Sequence, residues 1–221
     1  MTEGAPRYVR EPPALHPAIV GCLARAERVT SAEVMGSLLA LVADGALETR
    51  ESMRRVTTIA GASQMTVTEL RVVPERWVTL DPLDHALIAF LADALGGPSV
   101  LTLADIQAAA HHRPHRFARG LKAWEERVLA AAQAAGLLEG RSLTEDGRAA
   151  AATHAAFRRY LEDFGTLEDE PPVAVELWGR YLAFATVFGI AERVAAELDI
   201  TGPGAAANPN LATWKAWLGA D

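Results

Sequence analysis

A chain of 221 residues, half of them hydrophobic, holds enough apolar material for a real core, and its low aromatic content of 6% beside abundant alanine favours helices over sheets. A formal charge of −7 argues against a general nucleic-acid binder, because such domains carry a basic surface that displaces counterions from phosphate. A single cysteine, Cys22, excludes an internal disulfide, the opening "MTEGAPRYVREPPAL" lacks the apolar centre of a signal peptide, and no run approaches the roughly 18 apolar residues of a membrane span, so the expectation is a soluble, cytoplasmic chain.

Residues 1–13 are polar, end in Glu11-Pro12-Pro13, and read as an N-terminal arm. A helix is predicted from about Ala14 to Ala26. Thr30 then precedes Glu33 by three residues, the spacing of a capping box, with Val34, Leu38, Leu41 and Val42 at helical period and Gly45 as the stop. The alternating stretches "ALETRE" and "MTVTELRVV", joined by "SMRRVTTIAGASQ", predict a hairpin with a long tip. Helix, helix, hairpin is the order of a winged helix, assigned to residues 14–80.

The order recurs in degraded form over residues 81–140. Asp81 is an N-cap, Pro82 a first helical residue and Gly96-Gly97 a terminator; Thr102 caps a second helix, and a long helix runs from Pro114 to about Ala135. A helical C-terminal domain is assigned to residues 144–200: a helix to about Phe164, the acidic turn "GTLEDEPP", a helix bearing Trp178 and Tyr181, a break at Gly189, and a short helix to Leu198. Residues 201–221 read as the linker "TGPGAAANP" and a terminal helix anchored by Trp214 and Trp217. The fold class is therefore mainly α with a small β-hairpin, as tandem winged-helix-like units followed by a helical C-terminal domain.

Chemistry concentrates in "AAAHHRPHRFARGLKAW", residues 108–124. Metal binding by His111, His112 and His115 is not expected, because Pro114 interrupts the helix between them and no Cys, Asp or Glu lies within the stretch to complete a coordination shell. Arg113, Arg116, Arg119 and Lys122 head the long helix and are candidates for nucleic-acid or partner contact. They flank the buried stripe Phe117, Leu121, Trp124 and Val128, and Glu125 and Glu126 interrupt them. The corresponding helix of the first unit has no Lys or Arg over residues 30–49.

No catalytic constellation is present. Glu162, Asp163, Glu168, Asp169 and Glu170 read as a solvated acidic surface, "GGPSV" lacks the Gly-Lys-Ser/Thr end of a phosphate loop, and Cys22 sits in the apolar "AIVGCLA" as a buried thiol. Neither enzyme activity nor a cofactor is expected. Phe157, Tyr160, Leu161 and Phe164 form one aromatic stripe and Trp178, Tyr181, Leu182 and Ala185 another, so an antiparallel helical hairpin is predicted, with Phe157, Tyr160, Trp178 and Tyr181 in structural roles. Arg158 and Arg159 project beside the first stripe, placed to pair with the acidic turn.

Residues 157–194, "FRRYLEDFGTLEDEPPVAVELWGRYLAFATVFGIAERV", resemble the C-terminal signature of a family of predicted bacterial membrane proteins, domain of unknown function 2207, through Arg158, Arg159, Tyr160, Leu161, Trp178, Tyr181, Gly189 and Ala191. Upstream, "EPPALHPAIVGCL" and "LVADGALETRE" resemble the opening of the family's cytosolic part, so the likeness spans roughly residues 8–200. It implies an outer β-rich domain, a membrane anchor, and a cytosolic helical part interrupted by a transmembrane hairpin. Here only a few polar residues of "LLEGRSLTEDG" join Gly136 to Thr144 where that hairpin would sit. The resemblance supplies no enzyme, cofactor or site residue; it implies a cytoplasmic chain, at the cytoplasmic face of the inner membrane if the full-length protein is anchored, with membrane contact only through segments outside this chain. The functional expectation is a non-enzymatic interaction or scaffolding module with a protein partner. The alternative is a DNA-binding winged-helix regulator acting through residues 113–122.

Overall fold

The computed structural model describes residues 6–25, 28–58, 61–97, 100–163 and 175–201. The chain is mainly helical with a small antiparallel sheet, as composition predicts, and divides into two compact units: Met1–Ala43 with Glu125–Asp221, and Asp44–Trp124.

In the first unit, α1 (Pro17–Ala24) starts at a proline whose missing N–H costs nothing there, and His16 caps it by accepting from the Ala18 N–H at 3.1 Å. The capping box of α2 (Ser31–Ala43) forms as its spacing predicts: Glu33 accepts from the Thr30 N–H at 2.6 Å and from the Thr30 hydroxyl at 2.7 Å, while Thr30 accepts from the Ala32 N–H. Glu33 is fully buried, and Arg25 neutralises its other oxygen while also donating to the Val187 carbonyl. A Cβ at Gly21 would collide with the Glu33 carboxylate, so glycine there is what lets α1 lie against α2.

The central element of this unit is α8 (Val175–Phe188), which is apolar nearly all round and buried accordingly. Its most extensive neighbour is α2. Gly36 lies against Val187 and Ala183, and Gly179 against Ala43, so two glycines remove the side chains that would hold the axes apart. The sequence pairing of α8 with α7 (Glu145–Asp163) is thus only part of its environment. Those two helices meet through Phe157, whose ring lies edge-on to Tyr181 and Phe184 at 5.6 and 5.8 Å, and through Tyr160 against Tyr181 at 6.1 Å. The connecting acidic turn, Phe164 and the terminal tryptophans Trp214 and Trp217 lie outside the described residues.

The N-terminal arm is pinned rather than loose. Tyr8 donates to Asp163, Val9 N–H to the Ala156 carbonyl, Arg159 to the Arg7 carbonyl and Tyr181 to the Arg10 carbonyl. Arg159 therefore serves the arm, and Arg158 pairs within its own helix with Glu162 at 2.8 Å. A two-stranded turn, β4 (Leu138–Glu139) with β5 (Ser142–Leu143), precedes α7, and α9 (Ala191–Thr201) follows the positive-φ Gly189.

The second unit is built on β1 (Leu47–Thr58) and β2 (Gly61–Val72), in register from Leu47↔Val72 to Thr58↔Gly61. What reads in sequence as a long tip is mostly strand: Ser52 through Thr58 continue the ladder, because the alternation of "ESMRRVTT" suits a pleat. A third strand, β3 (Val100–Thr102), pairs with β2 through Leu70↔Leu101. The hairpin thus shares its sheet with a strand from the 81–140 stretch, and the division at residue 44 runs through the 14–80 assignment, grouping α1 and α2 with α7 and α8. The physical reason is that the apolar face of α2 finds a larger apolar complement in α8.

After the hairpin come α3 (Pro74–Trp77) and α4 (Pro82–Leu95), then α5 (Leu103–His112), which packs on β2, β3 and α4, and α6 (Pro114–Ala134). Asp81 caps α4 at the Leu83 N–H, 2.7 Å, and Gly96 ends it at φ 88°, a left-handed conformation that glycine adopts without strain. Gly120 of α6 presses onto the ring of Phe90, which meets Phe117 edge-on at 5.1 Å, and the buried Trp124 donates to the Leu83 carbonyl at 3.0 Å.

Candidate functional site

The junction of α5 and α6 follows from Pro114. A residue before proline is pushed out of the helical region, and Arg113, at φ −131°, ends α5 while Pro114 opens α6. The four cations of the sequence reading are all exposed, but the fold treats them differently. Arg116 grips Asp93 of α4 with two hydrogen bonds, Nε at 3.0 Å and Nη2 at 2.6 Å, and this guanidinium holds the Asp93 carboxyl below its usual range. Arg119 adds its charge to Asp93 without a hydrogen bond. Arg113 reaches the Ala94 carbonyl at 3.4 Å, and Lys122 has no partner among the described residues.

The histidines divide as Pro114 dictates. His111 and His112 occupy the last turn of α5, their rings edge-on at 5.0 Å, and His115 lies on α6. Among the described residues no three His, Cys, Asp or Glu side chains gather at metal-binding distance.

Beside Arg113 the fold leaves an open cleft of about 300 Å³. Ala94 and Leu95 at the end of α4 and Ala108 and Ala109 of α5 supply apolar lining, while Arg54, Asp105, His112 and Arg113 supply the polar groups. Asp105 occupies the capping box of α5: its N–H donates to Thr102 at 3.0 Å and its carboxylate accepts from the Thr102 hydroxyl at 2.8 Å. Arg54, from the middle of β1, pairs with the same carboxylate at 2.6 Å. Burial alone would raise the Asp105 carboxyl, but hydrogen bonds from Arg54 and Thr102 outweigh it and keep the group below its ordinary value.

Sequence reasoning missed Arg54. Its position in the hairpin carries no motif, and the only signal was the alternation that puts it on one face with Glu48, Arg50 and Ser52. Residues 44–124 carry nine acidic and nine basic side chains, so the whole net charge of −7 resides in the remainder. Among the described residues of this stretch, Met53 at 63% and Val78 at 83% are exposed, and Trp77 at 37% is partly so, its ring edge-on to His85 at 4.3 Å.

In the other unit, Phe157, Tyr160, Trp178 and Tyr181 are buried, as is Cys22. Burial raises the Tyr181 phenol and lowers the His154 imidazole to about 4; the His154 Nδ1 has no hydrogen-bond partner among the described residues.

Residues 128–198 match the family model described as Predicted membrane protein (DUF2207) C-terminal domain, whose function is unknown. The match holds β4, β5, α7 and α8 and contains the 157–194 stretch that carries the resemblance. No curated protein and no solved structure matches the chain. No helix among the described residues is long and apolar enough to cross a membrane.

Proposed function

We propose that the chain is a non-enzymatic protein-interaction module of a membrane-associated bacterial protein, working at the cytoplasmic face, with residues 44–124 as the surface that meets a protein partner. The observation that carries this reading over nucleic-acid binding is the Arg116–Asp93 pair. A phosphate-binding row needs cations whose donors are free, whereas the central cation here already has a carboxylate in its fork. The neutral balance of residues 44–124 adds no long-range attraction for a polyanion. Trp77, partly exposed, and Arg76 beside it are of the residue types enriched at interface hot spots, and the exposed Val78 extends the apolar surface next to them.

The alternative, a DNA-binding winged-helix regulator, draws support from Arg119 and Lys122 on the first turns of α6 and from the order helix, strand, helix, helix, hairpin over residues 82–143. Duplex binding at about 50 and about 200 mM salt separates the two, since phosphate contacts make affinity fall steeply with salt. No binding at the lower salt is expected. Salt-dependent binding lost in the Arg119→Ala, Lys122→Ala double variant would replace the protein reading with the DNA one. Quantitative capture from cells with the parent chain and Trp77→Ala completes the test: partners depleted by the substitution support the proposed surface, and an unchanged set removes it.

A further inference from the structure

We propose that the cleft between β1 and the ends of α4 and α5 is a binding site for a small oxyanion, a carboxylate or a phosphate carried on a short apolar body. This goes beyond the interaction reading and does not depend on the partner being a protein. The size sets the first limit. At about 300 Å³ the cleft is at the small end of ligand sites, large enough for an amino-acid-sized group and too small for a dinucleotide.

Charge sets the second. Two guanidiniums, Arg54 and Arg113, and the His112 imidazole line the cleft against one carboxylate, Asp105. Asp105 is already neutralised by Arg54 at 2.6 Å and held by the Thr102 hydroxyl, which leaves Arg113 with no carboxylate partner among the described residues. Arg113 is positioned by a single long contact, 3.4 Å to the Ala94 carbonyl. Arg113 thereby sets its charge against the negative ends of both α4 and α5, which by themselves repel an anion, and the long contact leaves most of its five guanidinium N–H donors for a ligand. Arg54 spends one terminal nitrogen on Asp105 and also keeps donors in reserve. A cationic ligand would meet two like charges. An uncharged one would leave those donors unsatisfied on desolvation.

The lining sets the third. Ala94, Leu95, Ala108 and Ala109 present methyl and isobutyl groups, so the depth of the cleft exists because these side chains are small, and its floor favours an aliphatic body behind the anionic head.

The test uses the full chain labelled with ¹⁵N, titrated with sodium propionate and separately with inorganic phosphate at constant ionic strength. Saturable shifts of the amides of Ala94, Leu95, Ala108, Ala109 and Arg113 are expected. The stronger anion identifies whether a carboxylate or a phosphate is the preferred head. Arg113→Gln should weaken binding about tenfold, the size of one lost charge-assisted contact. Arg119→Gln, an exposed cation outside the cleft, should leave it unchanged. Ala109→Leu fills the buried floor without altering charge and should abolish binding, while amide shifts unchanged outside the cleft show that this variant is folded. Absence of saturable shifts with both anions, equal weakening by Arg119→Gln, or full binding by a folded Ala109→Leu overturns the proposal.

Discussion

Replacing Gly36 by alanine should destabilise the protein even though alanine is the better helix former by about 1 kcal/mol. The added Cβ would overlap the Val187 side chain and stand 2.9 Å from the Ala183 carbonyl oxygen. Val187 is 1% exposed and Ala183 0%, so neither group has solvent to retreat into. Overpacking of this kind costs about 1–3 kcal/mol, and here one of the two obstacles is backbone, which puts the cost in the upper part of that range and the net loss near 1–2 kcal/mol. For a chain of this size that lowers the melting temperature by about 2–8 °C. Val187→Ala in the same molecule removes the other obstacle, so the double variant should cost less than the sum of the singles by about 1 kcal/mol. Thermal and urea unfolding of the four proteins measure the cycle. A Gly36→Ala melt at or above the parent, or strict additivity with Val187→Ala, would refute the close approach of α2 and α8.

Trp178→Ala removes a side chain only 2% exposed and should cost about 3–5 kcal/mol, whereas Arg113→Ala, at an exposed position, should stay within about 0.5 kcal/mol; paired thermal melts check both. His154 ties stability to pH. Its imidazole titrates at about 4 in the folded state against an ordinary 6.5, so below pH 6.5 the unfolded chain binds the proton first. The contribution is fully present above that value and is lost as pH falls toward 4, by an amount on the order of 3 kcal/mol in all. His154→Leu should flatten this limb of the unfolding profile between pH 7 and 4.5, and a profile unchanged by the substitution would place the titrating group elsewhere.

Local chemistry was legible in the sequence, because caps and breaks are decided within a few residues. The Thr30–Glu33 box, the Asp81-Pro82 start and Gly96 stop of α4, the Thr102 cap and the Pro114 break all form where their spacing predicts. So does the stripe of α7, since a period of 3.6 residues places Phe157, Tyr160 and Leu161 on one face whatever covers them, whereas of the α6 stripe only Trp124 and Val128 are buried and Phe117 and Leu121 are half-buried. The partner of each stripe was not legible. The choice of α8 by α2 rests on Gly36 and Gly179, far apart in the chain, and a glycine in a helix reads as a weakness until the helix that occupies its gap is known. The cleft is hidden for the same reason: Arg54 and Asp105 are separated by 51 positions, and only the pleat of β1 with the cap of α5 brings the two charges to 2.6 Å. Sequence alone determined which faces are apolar and where helices begin and end, because those depend on neighbours along the chain; which faces meet, and which charges are spent when they do, depends on shape across it, and only the tertiary structure decides that.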